Sequence, residues 1–406
     1  MKLNIAFCNT LSVGHAVPLI ALAKILRNDG HHIFFVMPVW QEVTHDLVKR
    51  EGFEIQYLFN GKHTINSGGQ FSREYPELTI ETGRVFNAYR PDMVFASQLF
   101  HVGKMGAEMA GVPLVNVIPN PYLETGESQT PFIDKKNDRG GFNEEMSRYW
   151  GRIHSVRAQI GLKKLPSVKF IQSDFANIIL TEPDVPCLRR DLPDNCFIAG
   201  PMIDPDAGGE THHPVFDLMS KDAAKVFISL GTEESRHDEA LIFFNKVAAV
   251  FAELKSKNIQ AVFFIGSRFK KRDMGHAGDN CVICDSFVPQ RRIISQADLV
   301  ISHGGWNTVH EALYDAKPQI VFPIAGHQFN TADWVVNRGV GMRFNYSRFD
   351  REDLKIGILR LLEDKKTKKT VSQMSSRIRS PERVYNLIRY IEGRYLNEHP
   401  HYAEHW

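Results

Sequence analysis

Leu299-Val-Ile-Ser-His-Gly-Gly-Trp-Asn-Thr-Val-His-Glu-Ala-Leu313 reads as a strand that passes through a glycine turn straight into a helix. Leu299–Ser302 is a short apolar run closed by a turn signal, the pattern of a strand buried on both faces. Beyond the turn, Val309 and Leu313 recur at helical spacing and are expected to face a core. Gly304 and Gly305 let the backbone bring its N–H groups close to an anion. A helix beginning there adds unpaired donors and a positive dipole end. That is a cradle for a diphosphate without a Walker lysine. His303, Asn307 and Glu311 are spaced i, i+4, i+8 and share one face if the helix begins near Gly305. An acid one turn further in suits hydrogen bonds from ribose hydroxyls. The same pattern also describes a glycine-started helix with a capping network and no ligand.

Outward from this stretch, strands and helices alternate. Leu3–Cys8 is a short apolar run before a glycine turn, and Ala16–Asn28 carries Leu19, Ile20, Leu22, Ala23 and Leu26 near helical spacing. Strand-like runs recur at His32–Met37, Phe53–Leu58, Met93–Ala96 and Pro113–Ile118. A second set comprises Ala224–Leu230, Gln260–Ile265, Cys281–Cys284, Leu299–Ser302 and Gln319–Phe322. This βαβ rhythm implies parallel sheets covered by helices on both faces. Gly200–Pro214, dense in glycine and proline, suits a linker. The expected fold class is α/β, with two doubly wound parallel-sheet domains facing a cleft: an N-terminal domain 1–205 and a C-terminal domain 206–380. Residues 381–406 are expected to form a C-terminal helix packing back on the first domain. Ligands in such sheets bind outside the carboxyl ends of the strands.

Composition narrows the function. The 406 residues hold 49 basic and 47 acidic side chains, a net charge of +2 that gives no field for nucleic acid. Five scattered cysteines fit a reducing compartment. Cys281 and Cys284 form a lone C-x-x-C, either a redox or half-zinc motif or, as the flanking Asn280 to Asp285 favours, part of a buried strand. The N-terminal stretch turns polar at once and no long uncharged apolar run follows, so neither a leader nor a membrane span is expected, and the expected location is cytoplasmic. The G-x-G-x-x-G and G-x-x-x-x-G-K-[ST] loops are absent. Asp204-Pro-Asp206 spells a D-x-D that reads as solvated linker rather than metal site, and Arg268–Arg272 reads as a solvated basic loop. No metal and no cofactor is expected.

Phe287-Val-Pro-Gln290, the stretch His303 to Glu311, Pro318, Pro323, Gln328 with Asn330, and Gly339-Val-Gly341 together resemble the donor-binding signature of glycosyltransferase family 1. That family includes UDP-sugar and antibiotic glycosyltransferases. The resemblance extends to His15 within Gly14-His-Ala-Val-Pro18 and to Ser229-Leu-Gly-Thr232. It implies the GT-B fold of two Rossmann-like domains, the C-terminal one holding the donor. By the same resemblance, Phe287 stacks on the nucleotide base and Gln290 lies near base or ribose. Glu311 binds the ribose hydroxyls. His303, Asn307 and Thr308, in the turn at Gly305, contact the diphosphate, and Gly231 and Thr232 cap it from the other strand end. Gln328 bonds the sugar, while Trp306 packs and positions the loop. The implied activity is metal-independent, inverting transfer of a sugar from a nucleotide diphosphate donor, UDP- or TDP-linked, to a small acceptor. Two other classes share features of this pattern: an auxiliary protein that only holds a nucleotide sugar, and a sugar-nucleotide epimerase.

His15 lies in the turn after the first strand, where this fold class places ligands, and imidazole is suited to take a proton near neutral pH. The resemblance makes it the general base for the acceptor hydroxyl. Family relatives orient this histidine with an aspartate, but here Ala96-Ser97-Gln98 stands in its place. Either an acid arrives from elsewhere, or the Ser97 hydroxyl or Gln98 amide orients the ring, which suits an acceptor that is already acidic. Relatives also carry an acid before the sugar-reading glutamine, where this chain has His327; a donor other than plain glucose is expected. Trp40, Phe71, Tyr75, Phe86, Phe100, Phe142, Tyr149 and Trp150 are candidate linings for an apolar or aromatic acceptor, and core packing explains most of them equally well.

Overall fold

The computed structural model describes residues 1–8, 13–39, 42–58, 75–119, 144–165, 172–185, 188, 190–207, 212–234, 237–275 and 277–398. The chain divides into two units, Met1–Met202 with Pro381–Trp406, and Ile203–Ser380.

Among the described residues the first unit holds a seven-stranded sheet of β1 (Asn4–Cys8), β2 (His32–Pro38), β3 (Glu54–Leu58), β4 (Met93–Ser97), β5 (Leu114–Ile118), β6 (Ala176–Ile179) and β7 (Cys196–Ile198). Its order is β3-β2-β1-β4-β5-β6-β7 and every neighbouring pair is parallel. Burial on both faces explains the unbroken apolar runs. Phe7 stacks on Phe95 at 4.9 Å on one face, in a cluster with Phe35 and Leu22, while Ala6, Phe34 and Val94 belong to the cluster on the other.

The second unit repeats the plan with β8 (Ala224–Ser229), β9 (Ile259–Phe264), β10 (Cys281–Cys284), β11 (Leu299–Ser302), β12 (Gln319–Val321) and β13 (Gly341–Arg343). The order β10-β9-β8-β11-β12-β13, all parallel, matches the first six strands of the other sheet place for place. In both, the first strand of the unit neighbours the second and the fourth, so the chain reverses direction of winding there. Such a switch point leaves a crevice at the strands' carboxyl ends. The switch points lie between β1 and β4, and between β8 and β11.

Cys281 and Cys284 occupy edge strand β10 at i and i+3, which sends their side chains to opposite faces. They pack in different clusters, remain free thiols, and burial pushes each up to about 11. That position in the strand excludes a redox pair. Asp204 accepts from the Asp206 N–H at 3.1 Å within its own turn, and exposed Arg268 pairs with Asp238. The final helix, Pro381–Glu398, belongs to the first unit, where Leu387, Ile391 and Tyr395 enter the core. No helix among the described residues is long and apolar enough to cross a membrane.

Candidate functional site

In the second unit, Ser229 and Ser302 end β8 and β11 in register at the switch point. Each is fully buried and accepts the N–H of the glycine two residues on, Gly231 at 3.0 Å and Gly304 at 3.2 Å. Both glycines are left-handed, with φ of +75° and +91°, a conformation that costs other residues roughly 1–2 kcal/mol. The repeated Ser-x-Gly at two apolar strand ends was a sequence signal for these two serines, and the motif reading passed over it.

The His303 imidazole is wedged between glycines. A Cβ at Gly231 would lie 2.7 Å from its Cε1, and one at Gly305 would lie 2.7 Å from its Nε2. Its Nδ1 is buried and has no hydrogen-bond partner among the described residues. Burial, aided by nearby His327, lowers its pKa to about 3, so the ring is neutral and offers one N–H donor rather than a charge. The following helix is Trp306–Tyr314, with Gly305 as N-cap. His303 therefore stands on the turn before the helix, and only Asn307 and Glu311 share a helical face; the spacing argument for all three fails because glycine breaks the helical register. The helix start has no side-chain cap and no acid in its first turn, so no carboxylate there opposes an anion at its positive dipole end.

One turn further in, Glu311 is buried, and burial raises its pKa to about 7. Gln290 Nε2 donates to Glu311 Oε2 at 2.8 Å and to Thr308 Oγ1 at 3.3 Å, partly offsetting that rise. Arg291, beside Gln290, makes a two-pronged ion pair with Asp315, just beyond the helix that carries Glu311. Phe287, at 55% exposed, is a large aromatic surface just ahead of the helix Gln290–Gln296, whose N-cap is Pro289. Trp306 is buried, stacked on His310 at 4.9 Å and edge-on to Trp334 at 5.4 Å.

Gln328 opens the helix Gln328–Asn337, with His327 as its N-cap. Its Oε1 accepts the N–H groups of Ile324 at 2.8 Å and Ala325 at 3.0 Å, so the carbonyl end is spent on the loop and any ligand contact falls to the amide end. Thr232 is exposed on the short helix Gly231–Glu234.

In the first unit, His15 lies in the opening turn of the helix Val13–Asn28 and Ser97 is the last residue of β4. His15 Nδ1 is 2.9 Å from Ser97 Oγ. Burial lowers the pKa of the ring to about 4. Of the aromatic residues expected to line an acceptor pocket, Phe86 and Phe100 are core residues in the cluster under β2 and β4, which removes them as linings. Trp40, Phe71 and Phe142, and the side chains of Tyr75, Tyr149 and Trp150, lie outside the described residues.

Residues 235–386 match the family model for the glycosyltransferase family 28 C-terminal domain. An uncharacterized UDP-glucosyltransferase, YojK of Bacillus subtilis (strain 168), is 25% identical over 344 residues, covering 81% of this chain and 82% of its own length. The oleandomycin glycosyltransferase of Streptomyces antibioticus is 27% identical over 382 residues, covering 89% and 84%. The solved glycotransferase of kitacinnamycin superposes with a TM-score of 0.74 at 19% identity, over 97% of this chain and 99% of that one. The chain is thus similar to glycosyltransferases, the oleandomycin enzyme among them, and has the GT-B fold of two Rossmann-like parallel-sheet units.

Proposed function

We propose that the chain is an inverting glycosyltransferase of the family 1 type, moving a sugar from a nucleoside diphosphate donor to a hydroxyl of a small, mainly apolar or aromatic acceptor. The observation that carries this reading is the neutral His303 ring held between Gly231 and Gly305 at the uncapped start of the helix Trp306–Tyr314. In this reading the His303 ring, the amides at the start of the helix Trp306–Tyr314 and the Gly231–Thr232 turn contact the diphosphate. There they stabilise charge that develops on the departing diphosphate, without a metal. Phe287 stacks on the base, Glu311 and Gln290 take the ribose, and the Gln328 amide and His327 face the sugar. A UDP-glucosyltransferase and an oleandomycin glycosyltransferase among the relatives support a UDP-linked donor and a natural-product acceptor.

His15 receives the acceptor proton at Nε2 while Ser97 holds Nδ1. The freed oxygen attacks the anomeric carbon, and the diphosphate leaves with the bonding pair from the opposite face. Single displacement inverts that centre, so an α-linked donor gives a β-product. The test is a panel of nucleotide sugars and acceptors in excess chelator, scored for free nucleoside diphosphate. Release that requires acceptor supports transfer. Release that ignores acceptor overturns it, and turnover that returns only with added magnesium or manganese overturns the metal-free part.

A further inference from the structure

We infer that the natural acceptor presents an acidic hydroxyl of the phenol class rather than an aliphatic alcohol, because the base that takes its proton is oriented by a neutral serine hydroxyl. This rests on His15 being the base. Ser97 Oγ is fully buried, and its backbone is pinned: the Gln98 N–H reaches Val117 O and the Phe100 N–H reaches Ser97 O, both at 2.8 Å. Among the described residues this hydroxyl is the hydrogen-bond partner of His15, at 2.9 Å. The hydroxyl can accept from Nδ1–H, which leaves the Nε2 lone pair for the substrate, or donate to Nδ1, so it positions the ring without fixing its tautomer. It carries no charge with which to stabilise the imidazolium that forms, as a carboxylate would. Burial acts in the same direction, since no charged group among the described residues offsets it and the ring titrates at about 4.

The consequence follows from proton balance. The acceptor O–H breaks and its proton goes to Nε2. The new O–C bond forms as the bond from carbon to the diphosphate breaks, and the imidazolium then returns its proton to solvent. A phenol near pKa 10 must give its proton to a ring about six orders of magnitude less basic. A hydroxyl like that of water, near 15.7, faces a gap of about twelve. The phenol oxygen needs less help before it attacks than the aliphatic oxygen does, and a base without a charged partner gives less.

The experiment compares kcat/KM for phenols and for benzyl alcohols of matched size, using the UDP-sugar that turns over best. Wild type should favour phenols by ~10²-fold or more, within the range a general base commands. Ser97→Asp should raise benzyl alcohol turnover by roughly tenfold or more while moving phenols little. Should the buried aspartate harm folding, seen as lost donor binding, Ser97→Ala serves instead: it should lower kcat and tilt the ratio further toward phenols, with donor affinity unmoved. Equal use of both acceptor classes by wild type, with a ratio unchanged in either variant, overturns the inference. Transfer indifferent to His15→Ala overturns the base assignment beneath it.

Discussion

Glu311 is a carboxyl that its own fold keeps half-protonated near neutrality. Burial lifts it from 4.5 to about 7, against the pull of the Gln290 amide and Arg291. In the proposed role its ionised form accepts from two ribose hydroxyls, whereas the protonated form must turn one oxygen into a donor. Donor affinity should therefore climb as pH rises through about 7, and fall about tenfold per unit below it, as binding expels the proton. In the free protein the sign is reversed: the raised carboxyl favours the fold below 4.5 and loses that contribution as pH rises through about 7. Calorimetric donor titrations over this window check it, and Glu311→Gln should flatten the profile. Glu311→Ala should weaken donor binding roughly tenfold to a hundredfold, with a much smaller effect on the chemical step. The glycines around His303 offer a second residue-scale test. Gly305 has an ordinary φ of −64°, so Gly305→Ala adds only a clash with the ring; it should cut turnover and lower the melting temperature less than Gly231→Ala does. Gly231→Ala adds left-handed strain to the same clash and should lower both. The strand, turn and helix that carry His303, Asn307, Thr308 and Glu311 were legible in the sequence because a short local motif spans them. The spending of Gln328 Oε1 on two loop amides was not, because it depends on how the backbone at Ile324 and Ala325 turns.

Helices Gln290–Gln296 and Trp306–Tyr314 carry the bonded pair Gln290 and Glu311, and one buried ion pair, Arg291 to Asp315, also joins them. Arg291 and Asp315 have side chains 7% and 9% exposed, and Arg291 also lies over Tyr314 at 4.8 Å. Removing one partner strands the other: Asp315→Ala should destabilise the second unit by about 3–5 kcal/mol. Replacing both by apolar residues of similar volume, Arg291→Met with Asp315→Leu, should cost far less, because no buried charge is left alone. Denaturant melts of the two variants and the wild type decide the matter; a double variant as weak as the single one would show that the pair contributes shape rather than charge balance. Sequence patterning named neither residue, since a charged side chain gives no sign of its burial. Similar reasoning covers the strands it missed. β6 has Asn177 at its second position, where the local pattern breaks, yet Asn177 faces Asn116 of β5 in register and accepts its amide at 3.1 Å. β13 is three residues of half-exposed chain that become a strand by pairing with β12. The longer strands were legible because parallel sheets bury both faces and so write continuous apolar runs; β6 and β13 draw their order from neighbours.

At the scale of the chain, the two units share a strand order, and each carries its candidate residues at the switch point between its first and fourth strands. The first unit is completed by the chain's last helix, which returns from the end of the second. Leu387, Ile391 and Tyr395 are at most 3% exposed within the first unit's core, and Tyr390 stacks on Phe197 at 4.8 Å. Tyr395 donates to Asp92 Oδ1 at 3.0 Å, the carboxylate whose other oxygen accepts from Asn4 N–H at the start of β1. Arg383 crosses Gly200, whose φ is +69°, and donates to the carbonyls of Ala199 at 2.8 Å and Pro201 at 2.7 Å; a Cβ on Gly200 would lie 2.8 Å from that guanidinium. The helix is thus part of the first unit's core, although it follows the second unit in the chain. Ile391→Ala should cost about 2–5 kcal/mol, and the loss should fall on the first unit. In the full chain the variant should show a lowered first melting transition, lose His15-dependent transfer at a lower temperature, and bind nucleoside diphosphate as tightly as wild type. Loss of nucleotide binding in step with transfer would mean that the two units melt as one body, and that the helix supports the second as well as the first.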